Sequence, residues 1–168
     1  YYWTAPFAFI DHTTTSYYAT YINADFVSKF SNTDVRNLFV ASSTITNPAD
    51  FRRYTTRKFK FNFGSDVPLI RTAEMILIDA EALARTPGKE AEAHDLLYAL
   101  QKNRDVNAVK STNTGAALID EILLERRKEL YAENGVEWFD AKRLRKGITR
   151  TGNHRIFKNL SADDKRFF

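Results

Sequence analysis

The chain contains no cysteine, which excludes a disulfide framework, a thiolate nucleophile and any cysteine-based zinc site. That absence leaves the compartment open, because an exported protein need contain none. No run approaches the roughly 18 apolar residues of a membrane-spanning helix. The start, Tyr1-Tyr2-Trp3-Thr4-Ala5-Pro6, has neither the basic region nor the apolar stretch of a signal peptide, and no initiator methionine. The end, Asp163-Asp164-Lys165-Arg166-Phe167-Phe168, stops on an apolar pair. Both ends read as cut, so a fragment of a longer chain is expected. Excess charge is also scarce. A formal net charge of +4 spread along the sequence reads as a solvated surface, not a nucleic-acid footprint. There is no Gly-rich phosphate loop, nucleophile elbow or Walker pattern. His12, His94 and His154 are isolated and offer no metal-ligand spacing, so neither a metal nor a cofactor is expected.

What the chain does have is aromatic residues: 13 Phe, 8 Tyr and 2 Trp against a single Met. So many tyrosines suggest surface that is both apolar and hydrogen-bonding. With 168 residues there is material for one domain with a real core. Three stretches differ in character. Residues 1–65 are loop-rich and aromatic, residues 66–146 have helical periodicity, and residues 147–168 form a polar, basic tail.

In the first stretch Asn23 is placed to cap a short helix running to Phe30, with Asp25 in its first turn. Asn47-Pro48 reads as loop. Over residues 57–63, Phe59, Phe61 and Phe63 alternate with Lys58, Lys60 and Asn62, which predicts a half-buried strand. Pro68 stands where a helix can begin, because its missing N–H would have no partner there. From Leu69 to Arg85 the apolar spacing of Ile70, Ala73, Leu77, Ala80 and Ala84 is helical. Thr86-Pro87-Gly88 breaks it. A second helix is predicted from about Lys89 to Arg104, with Ala93, Leu96, Leu97 and Leu100 inward. Such a pair is of tetratricopeptide type, and one pair cannot bury its own faces. Thr114 is a candidate N-cap for a third helix to about Glu133, left through Asn134-Gly135. A short helix from Glu137 to Arg145 carries Trp138-Phe139-Asp140.

The order of these motifs resembles the C-terminal part of the SusD/RagB family of Bacteroidetes cell-surface lipoproteins. The residues that carry the resemblance are Pro68, Ile70, Arg71, Ala73, Glu74, Ala80, Glu81 and Ala82, then Ile122, Glu125, Arg126, Arg127, Glu129 and Leu130, then Trp138, Phe139, Asp140 and Arg143. Asp34-Val35-Arg36 and Lys58-Phe59 are similar to a looser pattern upstream. The chain departs from the family at Glu137, where an arginine is usual. The resemblance implies a mainly α fold with short strands and long loops. It also implies non-catalytic capture of an oligosaccharide and its delivery to a SusC-like TonB-dependent transporter. Location would be the outer membrane, through an N-terminal lipid anchor outside this chain.

Among the charged residues, Glu125, Arg126, Arg127, Glu129, Asp140 and Arg143 form the densest cluster. Carboxylates such as Glu125 and Asp140 could serve a hydrolase; the expectation here is ion pairing that locks the third helix to the fourth. Trp138 and Phe139 could form a sugar platform and are expected instead as a buried anchor. Arg143, Arg145, Lys146, Arg150 and Arg155 read as a solvated basic face. Sugar rings stack their C–H faces on flat aromatic rings, so Trp3 and Tyr2, with Tyr17 and Tyr18, are the candidate carbohydrate-binding residues. Tyr1 and Tyr21 lie in the same irregular stretch, the setting in which binding residues concentrate. The competing reading is a helical-repeat module that binds a protein.

Overall fold

The computed structural model describes residues 21–58, 68–155 and 158–165. Over these residues it is mainly helical, with α1 (Ala24–Val27), β1 (Phe39–Ala41), β2 (Tyr54–Thr56), α2 (Thr72–Ala84), α3 (Glu90–Arg104), α4 (Gly115–Leu130) and α5 (Val136–Arg143). The described residues fall into two compact units. One comprises residues 31–36 with 68–140, and the other comprises the rest.

The first unit is built on α2, α3 and α4. Helix α2 packs against both of the others through small residues, Ala73, Ala80 and Ala84, which let a neighbouring backbone come close. Leu77, Leu97, Leu118 and Ile122 fill the space between them and are completely buried. Burying one such side chain contributes about 1.5–3 kcal/mol. The predicted stripes hold, apart from Ile70. That residue is 73% exposed because the helix starts later than its proline suggests. Pro68 lies four residues ahead of α2, and Arg71 is extended (φ −125°, ψ 148°) at the N-cap without a side-chain cap. Thr114 also sits at an N-cap without using its hydroxyl, and the Gly115 N–H donates instead to Glu90 at 2.8 Å. Helix α4 ends at Leu130, and Asn134 and Gly135 take the left-handed conformation (φ 46° and 72°) before α5.

The second unit holds α1 and the antiparallel pair β1–β2, with Phe39 opposite Thr56 and Ala41 opposite Tyr54. Helix α1 is shorter than predicted. Asn23 does cap it, accepting from the Asp25 N–H at 2.8 Å, but the helix ends at Val27. Phe26, Phe30 and Phe39 pack edge to face, with centroids 4.9–6.2 Å apart. Asn153 is buried and sews this unit together: it accepts from the Ala24 N–H and donates to the Asp50 carbonyl, both at 2.8 Å. Gly147 leaves no room for a side chain, since a Cβ there would collide with the Leu160 carbonyl. The strand predicted at 57–63 lies largely outside the described residues.

Candidate functional site

Helix α4 turns 100° per residue, so Glu125 and Glu129 share a face, Arg126 sits one step round, and Arg127 faces solvent. On the Glu125–Glu129 face four cations, Arg36, Arg71, Arg104 and Lys128, meet four carboxylates, Asp34, Glu125, Glu129 and Glu133. Glu129 is the centre. Its carboxylate accepts from Arg71 at 2.7 Å, from Arg36 at 3.0 Å and from Arg104 twice at 3.0 Å. Arg71 also holds Glu133 through two 2.9 Å bonds and the Glu129 carbonyl at 2.8 Å.

The Glu129 side chain is only 3% exposed. Burial alone would raise its carboxyl, but hydrogen bonds from Arg104 and Arg71 and the charges of Arg104 and Arg36 outweigh that and hold it at about 2. Asp34 behaves the same way. Burial pushes it up, and the Arg36 guanidinium with the Arg36 N–H and Lys128 brings it below the usual carboxylate value. Arg36 spans Asp34 (2.8 and 2.9 Å) and lies 2.6 Å from Glu125 Oε1, an ion-pair contact without hydrogen-bond alignment. Residues 31–36 are held along the end of α3 as well. Val35 N–H donates to the Arg104 carbonyl at 2.8 Å, and Ser31 and Thr33 hydroxyls donate to the Asp105 carboxylate.

The densest charged cluster of the sequence is therefore divided among several partners. Arg126 donates to Asp140 and to Glu74, both at 2.9 Å, which ties α4 to α5 and to α2. Arg127 pairs with Glu137 near the surface, so the acid in the place of the family's usual arginine is matched by a cation one helix away. Glu125 faces Arg36 and, at 3.6 Å, Lys128. Arg143 is exposed in the last turn of α5. Arg36 and Arg71 sit in motifs that the sequence singled out, but Arg104 and Glu133 carried no signal beyond their helix ends.

Phe139 overturns the expectation of a buried aromatic anchor. It is 62% exposed and lies 3.6 Å from the Cβ position of Gly135, while Val136 takes the inward place at the start of α5. Trp138 is half-buried. The ring nitrogens of His94 face the carbonyls of Ser111 and Asn113 at 2.7 and 2.8 Å. Among the described residues no group of three His, Cys, Asp or Glu could hold a metal ion, and no helix is long and apolar enough to cross a membrane.

Tyr2, Trp3, Tyr17 and Tyr18 lie outside the described residues. Tyr21, from the same stretch, is half-buried and stands edge-on to Phe51, centroids 5.7 Å apart. The guanidinium groups of Arg52 and Arg155 lie 5.6 and 5.3 Å from the Phe51 ring centre, and Asp50 fixes Arg52 through bonds of 3.0 and 2.7 Å.

The sequence profile of the SusD family matches residues 4–166, nearly the whole chain. The chain belongs to the SusD family. Its fold is similar to that of a SusD-like carbohydrate binding protein from Bacteroides vulgatus ATCC 8482, with a TM-score of 0.70 and 28% sequence identity. That match covers 86% of this chain and 32% of the Bacteroides protein, so the chain spans about a third of the solved relative's length. A comparison with curated proteins finds no match.

Proposed function

We propose that this SusD-family chain is part of a protein that captures oligosaccharide or polysaccharide nutrients at the bacterial cell surface. In this reading the protein passes them, chemically unchanged, to a TonB-dependent, SusC-like outer-membrane transporter. A lipid anchor outside these 168 residues would hold it to the outer membrane. The observation that carries the reading is the family match over residues 4–166, joined to a fold like that of a carbohydrate binding protein. The electrostatics support it. Glu125 is paired with Arg36 and Asp140 with Arg126, so the two carboxylates that a hydrolase would use are engaged in ion pairs. Binding would rest on neutral rings and hydroxyl-seeking groups. Trp3 and Tyr2, with Tyr17 and Tyr18, are the proposed platform.

Calorimetric titration of the folded chain against a panel of polysaccharides tests this. At least one glycan should bind. Trp3→Ala or Tyr2→Ala should weaken it about tenfold, which is ~1.4 kcal/mol, whereas the exposed Phe139→Ala should leave it unchanged. A folded chain that binds no glycan but retains a protein partner would overturn the reading in favour of a helical-repeat interaction module.

A further inference from the structure

The net charge of +4 is unevenly divided. The unit built on α2, α3 and α4 carries 10 Lys and Arg against 15 Asp and Glu, and the unit holding α1 and the β1–β2 pair carries 15 against 6. Within the second, residues 141–155 hold six cations and no carboxylate. A face kept in water for solubility alone mixes both signs. The cations are also used differently. In the first unit Arg36, Arg71, Arg85, Arg104, Arg126 and Arg127 all pair with carboxylates. In the second, the exposed Lys142, Arg145, Arg155 and Lys158 have no carboxylate partner among the described residues.

Arg155 differs from the other three in being seated on a ring. Buried Asn153 donates to the Asp50 carbonyl at 2.8 Å, and Asn23 donates to the Thr151 carbonyl at 2.7 Å, so residues 151–155 are held beside α1 and the turn at residues 50–53. There the Arg155 guanidinium lies 5.3 Å from the centre of the half-buried Phe51 ring, and that of Arg52 lies 5.6 Å from it. A guanidinium over a ring keeps its edge, where the N–H donors point, open to an acceptor. Arg52 turns Nε and Nη2 to Asp50, which balances its charge. The donors of Arg155 meet no acceptor among the described residues.

We propose that the glycan this protein takes is acidic, and that Arg155, seated on Phe51 beside Arg52, holds a carboxylate or sulfate group of it. The proposal rests on the glycan-capture reading above and names the class of sugar, a uronic acid or a sulfated sugar. A planar fork of donors matches the oxygens of either group. The positive excess of the unit draws a polyanion toward it. A lipid surface or a nucleic acid also answers to positive charge, and the likeness to a carbohydrate binding protein favours a sugar as its carrier.

Polymers matched in backbone provide the test, titrated calorimetrically into the full-length polypeptide: polygalacturonate against its methyl-esterified form, and dextran sulfate against dextran. One acidic polymer should bind at least about tenfold more tightly than its neutral partner, and its affinity should fall as salt is raised. The pair that shows the difference tells carboxylate from sulfate. Arg155→Gln should weaken the acidic polymer about tenfold and Lys142→Gln no more than about twofold, because a diffuse field counts every exposed cation alike. Equal losses from the two variants would overturn the proposal. So would equal affinities within both pairs, or binding of neither acidic polymer; glycan capture would still stand if a neutral polysaccharide bound. Binding to phosphatidylglycerol vesicles or duplex DNA, with no polysaccharide held, would overturn the proposal and the glycan reading together.

Discussion

Replacing Glu129 with Gln removes the one negative charge on which Arg36, Arg71 and Arg104 converge while keeping the size of the side chain. The cost follows from the carboxyl itself. Its ordinary value is 4.5 and the folded protein holds it at about 2, a difference of roughly 2.5 units, or ~3 kcal/mol of folding free energy at neutral pH. The side chain is 3% exposed, so solvent screening does not erode that figure much. The amide adds to the loss by presenting N–H donors to guanidinium donors. Urea unfolding followed by circular dichroism at pH 7 should therefore show Glu129→Gln less stable by about 3 kcal/mol.

The pH dependence supplies the sharper check. A carboxyl depressed in the folded state contributes stability above its unfolded value and loses it as pH falls through the folded one. Between pH about 4.5 and about 2 the natural chain should lose this contribution, while the variant has none to lose, so the gap between them should close. A gap under 1 kcal/mol at pH 7, or one that stays constant down to pH 2, would refute the reasoning.

Arg36→Met leaves Asp34 and Glu125 with Lys128 as their remaining cation, and should cost about 2–4 kcal/mol. Exchange of the Val35 amide, which donates to the Arg104 carbonyl, should accelerate in step; an unchanged rate would mean that residues 31–36 are held by other contacts. At Gly152 the backbone has φ +65° and a Cβ would lie 2.8 Å from the Asp25 carboxylate, so Gly152→Ala should destabilise by about 1–2 kcal/mol. Adding Asp25→Ala should recover the steric part and leave the backbone part, and a double variant no better than the single would show that the carboxylate is not in the way.

Local rules carried the helices well and the ion pairs poorly. The boundary of α3 is found within a residue, because a 3.6-residue period over four turns needs only neighbours. Pro68 misled because residues 68–71 are claimed by longer-range contacts. The Asn134 side chain bonds the carbonyls of Pro68 and Leu69 at 2.9 and 3.0 Å, and Arg71 stays extended while its guanidinium bonds Glu129 and Glu133. Strands β1 and β2 are three residues each, too short to show a period. The charged cluster of Glu125, Arg126, Arg127, Glu129, Asp140 and Arg143 suggested ion pairs between the third and fourth predicted helices. Helical geometry instead sends Glu125 and Glu129 to Arg36, Arg71 and Arg104, which are remote in sequence, while Arg126–Asp140 does join two of the expected residues.

What the buried network contributes is better described as placement than as bulk stability. Burying charged groups costs several kcal/mol per ion, and a well-packed apolar replacement often does as well. The cost of a wrong arrangement is a different matter. Were residues 31–36 shifted by one position, Arg36 would leave Glu129 and Glu125, Asp34 would leave Lys128, and the Val35 N–H would lose the Arg104 carbonyl. Each loss strands a buried charge or donor, and such penalties reach 3–5 kcal/mol for a broken buried pair. Leucine and alanine contacts in the helical core tolerate small slides, because dispersion has no direction. Bidentate guanidinium–carboxylate bonds do not, because their planes and distances must match. The apolar core therefore explains why α2, α3 and α4 assemble, and the arginine network explains why residues 31–36 lie against them in one register.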